Sequence, residues 1–288
     1  ENAQNFRLTL HLINVISNNH FRSSNFFDKF EKILHNYKSQ IKQTFSNFQI
    51  FYIFKKNRRI LLFLIEDEII NIDETIASYI SKENREFFYC EYFTTELQPF
   101  KTILILLNED EEIDNKKRRI GENDSQISQI IRKDLINDFI EFVNTNRLSL
   151  DMKINNSKYE TNPVFIVEEP TLIEYAAFFG SYQIFFYLYN NGISLTPSLW
   201  DFAVHGNNMN IIQFLKEKNI KPQFGLFELT LKEAFKCHHN EVANYIIQNL
   251  ISNYDASLIN DSTDFYDNFL VYCFRYYNFF FLPNNFVN

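Results

Sequence analysis

Glycine is scarce in this chain of 288 residues, with five in all, beside six prolines, three cysteines and one tryptophan. Average usage of about 7% would give about 20 glycines. Three of the five, Gly180, Gly192 and Gly206, fall in or near candidate turns of one region, so no glycine-rich phosphate loop is available. Cys90, Cys237 and Cys273 are far apart and odd in number, which excludes a disulfide framework and points to a reducing compartment. Positive charge is also short: 28 Lys and Arg face 36 Asp and Glu, a net charge of −8. A general nucleic-acid binder would show the opposite balance. The longest apolar run, Ile60 to Ile65, falls far short of the ~20 residues that span a bilayer. The apolar stretch Phe269–Leu282 is broken by Arg275 and Asn278. The chain opens on Glu1, and no basic stretch precedes an apolar one, so no secretory signal is read and a trimmed start is expected. These absences predict a soluble cytoplasmic protein without a membrane span.

What is present is apolar bulk. Hydrophobic residues make up 45% of the chain, including 33 Phe and 16 Tyr, enough for a sizeable core. Two stretches nearly repeat. Pro170-Thr171-Leu172-Ile173-Glu174-Tyr175-Ala176-Ala177 is followed by Pro197-Ser198-Leu199-Trp200-Asp201-Phe202-Ala203-Val204, with Ala203 27 residues after Ala176. A self-match at that period marks a helical repeat array. Thr171 with Glu174, and Ser198 with Asp201, have the three-residue spacing of a capping box. A helix is expected after each. Ile184, Phe185 and Leu188, then Ile211, Ile212 and Leu215, then Val242, Ala243 and Ile246 form i, i+1, i+4 sets on one helix face. A third unit, Leu231 to Ile247, keeps Ala234 at the Ala position without the capping box.

The block Thr171-Leu172-Ile173-Glu174-Tyr175-Ala176-Ala177 resembles the ankyrin repeat's Thr-Pro-Leu-His-x-Ala-Ala, with Leu172 in the Pro place and Glu174 in the His place. Gly180, Ile184-Phe185, Leu188-Tyr189 and Asn191-Gly192 fall on the family's Gly, Ile-Val, Leu-Leu and Asn-Gly positions. The second unit departs from the pattern with Asn207 for the first Gly and Lys216 for the second Leu. The phrasing is similar to a diverged, Asn- and Phe-rich set of protist ankyrin proteins carrying a domain of unknown function. The clear match covers roughly residues 125–252. The resemblance implies an all-α, ankyrin-like solenoid of stacked antiparallel helix pairs, with few or no β-hairpin fingers. It implies a non-enzymatic protein-interaction scaffold that binds a protein partner on its concave face, with no cofactor and no small-molecule substrate. In the resemblance Tyr175, Phe178, Phe179, Phe202, His205 and Gly206 line that concave face. If exposed, the rings suit a grip on a partner; the competing expectation is that loops fold over them.

The rest of the chain reads as an N-terminal helical region over 1–107, then a charged linker over 108–124, where acidic Asn108–Asp114 meets basic Lys116–Arg119. Within the first region, residues 5–24 begin strand-like and then fit a helix, 25–54 give two helices and 58–81 a helix pair; 86–107 hold Phe87, Phe88, Tyr92, Phe93 and Pro99. Repeats are expected over 125–288. The first carries Ile130 at the Ala position, an insertion spans roughly 146–168, and a C-terminal cap over 258–288 puts Cys273 at the Ala position.

Other chemistry weighs less. Cys237-His238-His239 is the best metal-like cluster and the basis of an alternative, a metal-dependent module or enzyme. Zinc, however, needs three or four converging ligands, and adjacent helical residues diverge by about 100°. His238 is expected at an interhelix turn, with His205 at a matching one, and Cys237 and Cys273 as buried thiols. The acidic runs Glu66-Asp67-Glu68, Asp73-Glu74 and Glu109–Glu112 read as solvated faces rather than acid–base pairs. Lys55–Arg59 and Lys116–Arg119 suggest a nuclear adaptor, against a helix C-terminus and a solvated linker.

Overall fold

A computed structural model describes residues 2–20, 22, 25–83, 89–100, 114–225, 227–251 and 270–282. Among these residues the chain is helical, and the only extended pairing is an isolated antiparallel bridge between Lys153 and Thr171. The chain divides into two compact units. The first holds Glu1–Asn18, Arg22–Ser125 and Asn155–Glu169; the second holds Asn19–Phe21, Gln126–Ile154 and Pro170–Asn288.

The first unit contains α1 (Asn2–Asn19), α2 (Phe26–Asn36), α3 (Lys38–Thr44), α4 (Asn47–Phe54), α5 (Arg58–Glu66), α6 (Glu74–Glu83), α7 (Tyr89–Tyr92), α8 (Thr94–Leu97) and α9 (Asn115–Ile120). Residues 2–19 are helical throughout, so the strand-like start expected there does not form. Residues 25–54 hold three helices rather than two, because Tyr37 breaks the run and Ser46 opens a new one with a capping box to Gln49. The core is aliphatic and aromatic, with Leu34, Ile60, Leu62, Leu64, Ile70, Ile76 and Leu97 fully buried. Burying each such side chain contributes about 1.5–3 kcal/mol. Phe87, Phe88 and residues 101–113, including Glu109–Glu112, lie outside the described residues.

Residues 115–120, expected as part of a solvated linker, form α9 instead. Asp114 caps it by accepting from the Lys116 and Lys117 amides, and α9 packs on α5. The second half of the expected insertion also belongs to this unit. It carries α12 (Pro163–Val167), capped by the Asn162 side chain. The Glu160 carboxylate accepts from the amides of Asn123, Thr161 and Asn162. Composition alone does not reveal this return, since it depends on interactions between distant stretches of sequence.

The second unit is a series of helix pairs: α10 (Gln126–Arg132) with α11 (Ile136–Asn146), α13 (Leu172–Phe178) with α14 (Tyr182–Asn190), α15 (Leu199–His205) with α16 (Met209–Glu217), and α17 (Phe227–Lys236) with α18 (Asn240–Ile246). A fifth begins with helical residues 270–275 and ends in the short turn Phe279–Phe281. The first helices pack in chain order, α10 on α13, α13 on α15 and α15 on α17. Each first helix ends in a turn that contains a residue of positive φ: Asp134, Gly180, Asn207, His238 and Tyr277, all between 50° and 65°. In four of the five, the amide after that residue reaches back to the residue at the Ala position. These bonds are Leu135 to Ile130, Ser181 to Ala176, His239 to Ala234 and Asn278 to Cys273. This is the Schellman closure of a helix. The Ala position lies four residues before the left-handed residue in every unit, and Ile130, Ala176, Ala203, Ala234 and Cys273 are all buried there.

Polar side chains fasten one pair to the next. The residue following the left-handed one donates to a carbonyl of the preceding pair: Ser181 Oγ to Ile131 O (2.6 Å), Asn208 Nδ2 to Gly180 O (3.0 Å) and Asn278 Nδ2 to Phe235 O (3.2 Å). The capping box at Thr171 forms, with Glu174 Oε2 accepting from the Thr171 amide at 2.9 Å. The expected second box does not. Ser198 is itself helical, the Asp201 amide bonds the Ser198 carbonyl, and the Ser198 hydroxyl donates to Glu174 Oε1 at 2.5 Å. Asp201 in turn accepts from Thr230 at 3.3 Å. The two carboxylates therefore bridge successive pairs. Of the expected C-terminal cap, residues 258–269 and 283–288 lie outside the described residues.

Gly206 has an ordinary φ of −68°, yet a Cβ there would lie 2.1 Å from Ala177 O and 2.8 Å from the Gly180 amide nitrogen. Gly206→Ala is expected to lower stability by about 1–3 kcal/mol through this clash alone, read as a drop in thermal midpoint. In the first unit, Glu96→Ala strands buried Arg118 and is expected to cost about 3–5 kcal/mol. Glu66→Ala, which frees the largely exposed Arg119, is expected to cost about 0–1 kcal/mol in the same melt.

Candidate functional site

The five side chains expected to line a docking face come from α13, α15 and the turn between α13 and α14. They lie together, but not in the open. Tyr175, Phe178, Phe202 and His205 have 1–8% of their surface exposed, and only Phe179 is partly exposed. Phe178 stacks on His205 with ring centroids 3.6 Å apart and planes 12° apart. Phe179 sits 4.7 Å from Tyr175 and 5.2 Å from Phe178, and Phe202 meets Phe178 at 6.2 Å. The Arg132 guanidinium donates to the Tyr175 hydroxyl at 2.8 Å and lies 5.9 Å from the Phe179 ring. Aromatic pairs of this kind add about 0.5–1.5 kcal/mol each beyond area burial. All but Phe179 are core, so the rings are covered and not an exposed aromatic grip, and it is helices rather than the expected loops that cover them. The physical reason is register: the residues flanking the Ala position pack between pairs, Phe178 against Phe202 and His205 of the next and Tyr175 against Arg132 of the one before.

The Cys237-His238-His239 run occupies the fourth turn. His238 holds the left-handed position, as Gly180 does two units earlier. Its Nε2 lies 2.7 Å from Tyr276 O, and His239 Nε2 lies 3.0 Å from His205 O, so each imidazole donates to a backbone carbonyl. His205, expected at a turn, is the last residue of α15 and is buried. Cys237 is buried and lies 3.6 Å from Glu233. Burial, then the neighbouring carboxylate, pushes its thiol well above the ordinary value and keeps it protonated. Burial also raises the Cys273 thiol to about 11. The side chain of Cys90 lies outside the described part. Among the described residues no group of three or more His, Cys, Asp or Glu is arranged to hold a metal.

A third imidazole, from far away in the sequence, joins this turn. The His20 ring lies 4.4 Å from that of His238, and its Nε2 is buried without a hydrogen-bond partner. Burial first, then His238 and His239, hold its pKa down at about 4. No signal of spacing links residue 20 to residue 238.

The basic clusters are not free patches either. Lys55 caps the C-terminus of α4, as expected of the first cluster, but Asn57 caps α5 by accepting from the Ile60 amide, which places Arg58 and Arg59 at a helix start. Both are buried, and Arg59 pairs with Glu31 and donates to Arg119 O. Arg118, buried on α9, makes a two-pronged pair with Glu96 at 2.7 and 2.8 Å and donates to Tyr92 O, while the Tyr92 hydroxyl donates to Arg118 O. Arg22 and Arg59 each lie about 5 Å from the ring of Phe27. Of the two runs, Lys56, Lys116 and Arg119 are exposed, and Arg119 is paired with Glu66.

One cleft of about 250 Å³ opens in the first unit. It is lined mostly by apolar side chains, Phe6, Leu10, Ile13, Leu34, Tyr37 and Ile41 among them, with Asn5 and Thr9 beside them. No described helix is long and apolar enough to cross a membrane. A scan against family models, a search of curated proteins and a search of solved structures each return no match to this chain.

The histidine cluster sets a pH dependence. His20 is depressed from 6.5 to about 4 in the folded state, so the unfolded chain binds the proton first as pH falls. Stability is therefore expected to be full above pH 6.5, to decline between pH 6.5 and about 4, and to level off below for this group. Urea unfolding across that window checks it. His20→Phe is expected to flatten the slope.

Proposed function

We propose that this chain is a non-enzymatic scaffold that binds a protein partner, built on an ankyrin-type repeat solenoid. The Thr171–Ala177 block and the Gly180 to Gly192 spacing support the type. The observation that carries the reading is the turn itself, closed in the same register along the array, with its polar side chains bonded to backbone of the neighbouring pair. Side chains used in that way fasten a stack and are not free to handle a substrate. Protonated, buried Cys237 and carbonyl-bonded His238 and His239 weigh against the alternative of a metal-dependent module or enzyme. Docking falls to outward-facing surface, because the inner rings are buried.

Two measurements test this. Purified protein should carry no stoichiometric zinc by elemental analysis. In the source cell, cross-linking should give a discrete protein adduct that disappears with Leu215→Asp, which breaks the fully buried Leu188, Leu215 and Ile246 set. Stoichiometric zinc, or the absence of any protein adduct, would overturn the proposal.

A further inference from the structure

The outer face of the second unit carries an uncharged aromatic strip with a cationic border. Helix α14 runs Tyr182–Asn190 without one charged residue. Tyr182, Phe186 and Tyr189 stand at i, i+4 and i+7, on one face. Tyr182 is 41% exposed, and Phe186 and Tyr189 are partly exposed. Phe214 of α16 wedges between them, with ring centroids 4.6 Å from Phe186 and 4.9 Å from Tyr189. The Lys218 ammonium lies 5.3 Å from Phe214 and 5.4 Å from Tyr189, and Lys216 lies 5.5 Å from Tyr245. Lys216, Lys218 and Lys221 are exposed and share their stretch with one acid, Glu217. This local excess of positive charge sits in a chain whose net charge is −8.

We infer that this strip docks an acidic amphipathic helix of a partner protein. An aromatic centre depleted of charge, with a charged rim, is the composition of a protein interface core. The lysines choose the sign. Held over the rings, they present ammonium groups beside the apolar strip, where an apolar stripe flanked by Asp and Glu meets both. A nucleic-acid strand is the weaker fit. The ring faces are engaged edge-to-face with one another, and the stretch 182–221 contains no arginine. The inference rests on the scaffold reading and names the chemistry of its partner.

The test uses the full chain and a synthetic helix of about 15 residues with Leu at i, i+3, i+4 and i+7 and Glu between them, beside a twin with Lys for Glu. Calorimetric titration should show binding of the acidic helix, weakened by added salt, and none of the basic twin. The double variant Lys216→Glu/Lys218→Glu should lose about tenfold or more in affinity for the acidic helix and gain affinity for the twin. Circular dichroism should be unchanged, since both lysines are exposed. Tyr182→Ser should weaken both. Equal binding of the twins, binding of neither, no reversal in the double variant, or displacement by a thymidine oligonucleotide would each overturn the inference. If it fails while the cellular adduct of the scaffold test persists, only the acidic-helix assignment falls. If both fail, the scaffold reading falls with it.

Discussion

A helix of seven residues cannot end buried unless its last carbonyls find partners. In the second unit the answer recurs along the array. The backbone turns left-handed at one residue, and in four turns of five the next amide reaches back five residues. That closure dictates much else. It sets the distance from the small buried residue to the turn, and it aims the following side chain at the neighbouring pair. It also brings backbone so near at Gly206 that no Cβ fits. Gly and Asn take the left-handed position with little strain. His238 and Tyr277 take it too, and packing around them must offset the cost.

The first unit answers a different problem, how to hold guanidinium groups inside an aliphatic core. Arg118 is matched by Glu96 in plane, and Arg59 by Glu31. Glu160 supplies the amides of a tight bend with acceptors. Buried pairs of this sort add little net stability but make each partner costly to remove. In both units, then, charged and polar groups hold elements in place.

The sequence displayed the array through three residues of one type. Ala176, Ala203 and Ala234 marked the buried position, and the count from there led to Ile130 and Cys273, which are buried ahead of left-handed turns in units with no block of their own. All-α architecture followed from the same periodicity. Two of the failures share one cause, a partner distant in sequence. Ser198 and Asp201 have capping spacing, but Glu174 and Thr230 compete for them across pairs. Arg58, Arg59 and Arg118 read as solvent-facing charge, because the Glu160 carbonyl, Glu31 and Glu96 that receive them lie 22 or more residues away. Of the candidate site, the grouping of Tyr175, Phe178, Phe179, Phe202 and His205 was visible, and so was the choice between exposed and covered rings; that neighbouring helices rather than loops bury all but Phe179 was not.

The chain leaves the second unit after Ile154, contributes α12 to the first, and re-enters at Pro170, where Ile154 N bonds Pro170 O at 2.8 Å. The two units are therefore interleaved along the polypeptide. During synthesis the N-terminal unit stays incomplete until residue 169 has emerged, by which time α10 and α11 are already out of the ribosome. Domain-by-domain maturation is the usual course for long chains. Here neither half is finished on its own schedule, and no single cut between residues would release either one whole.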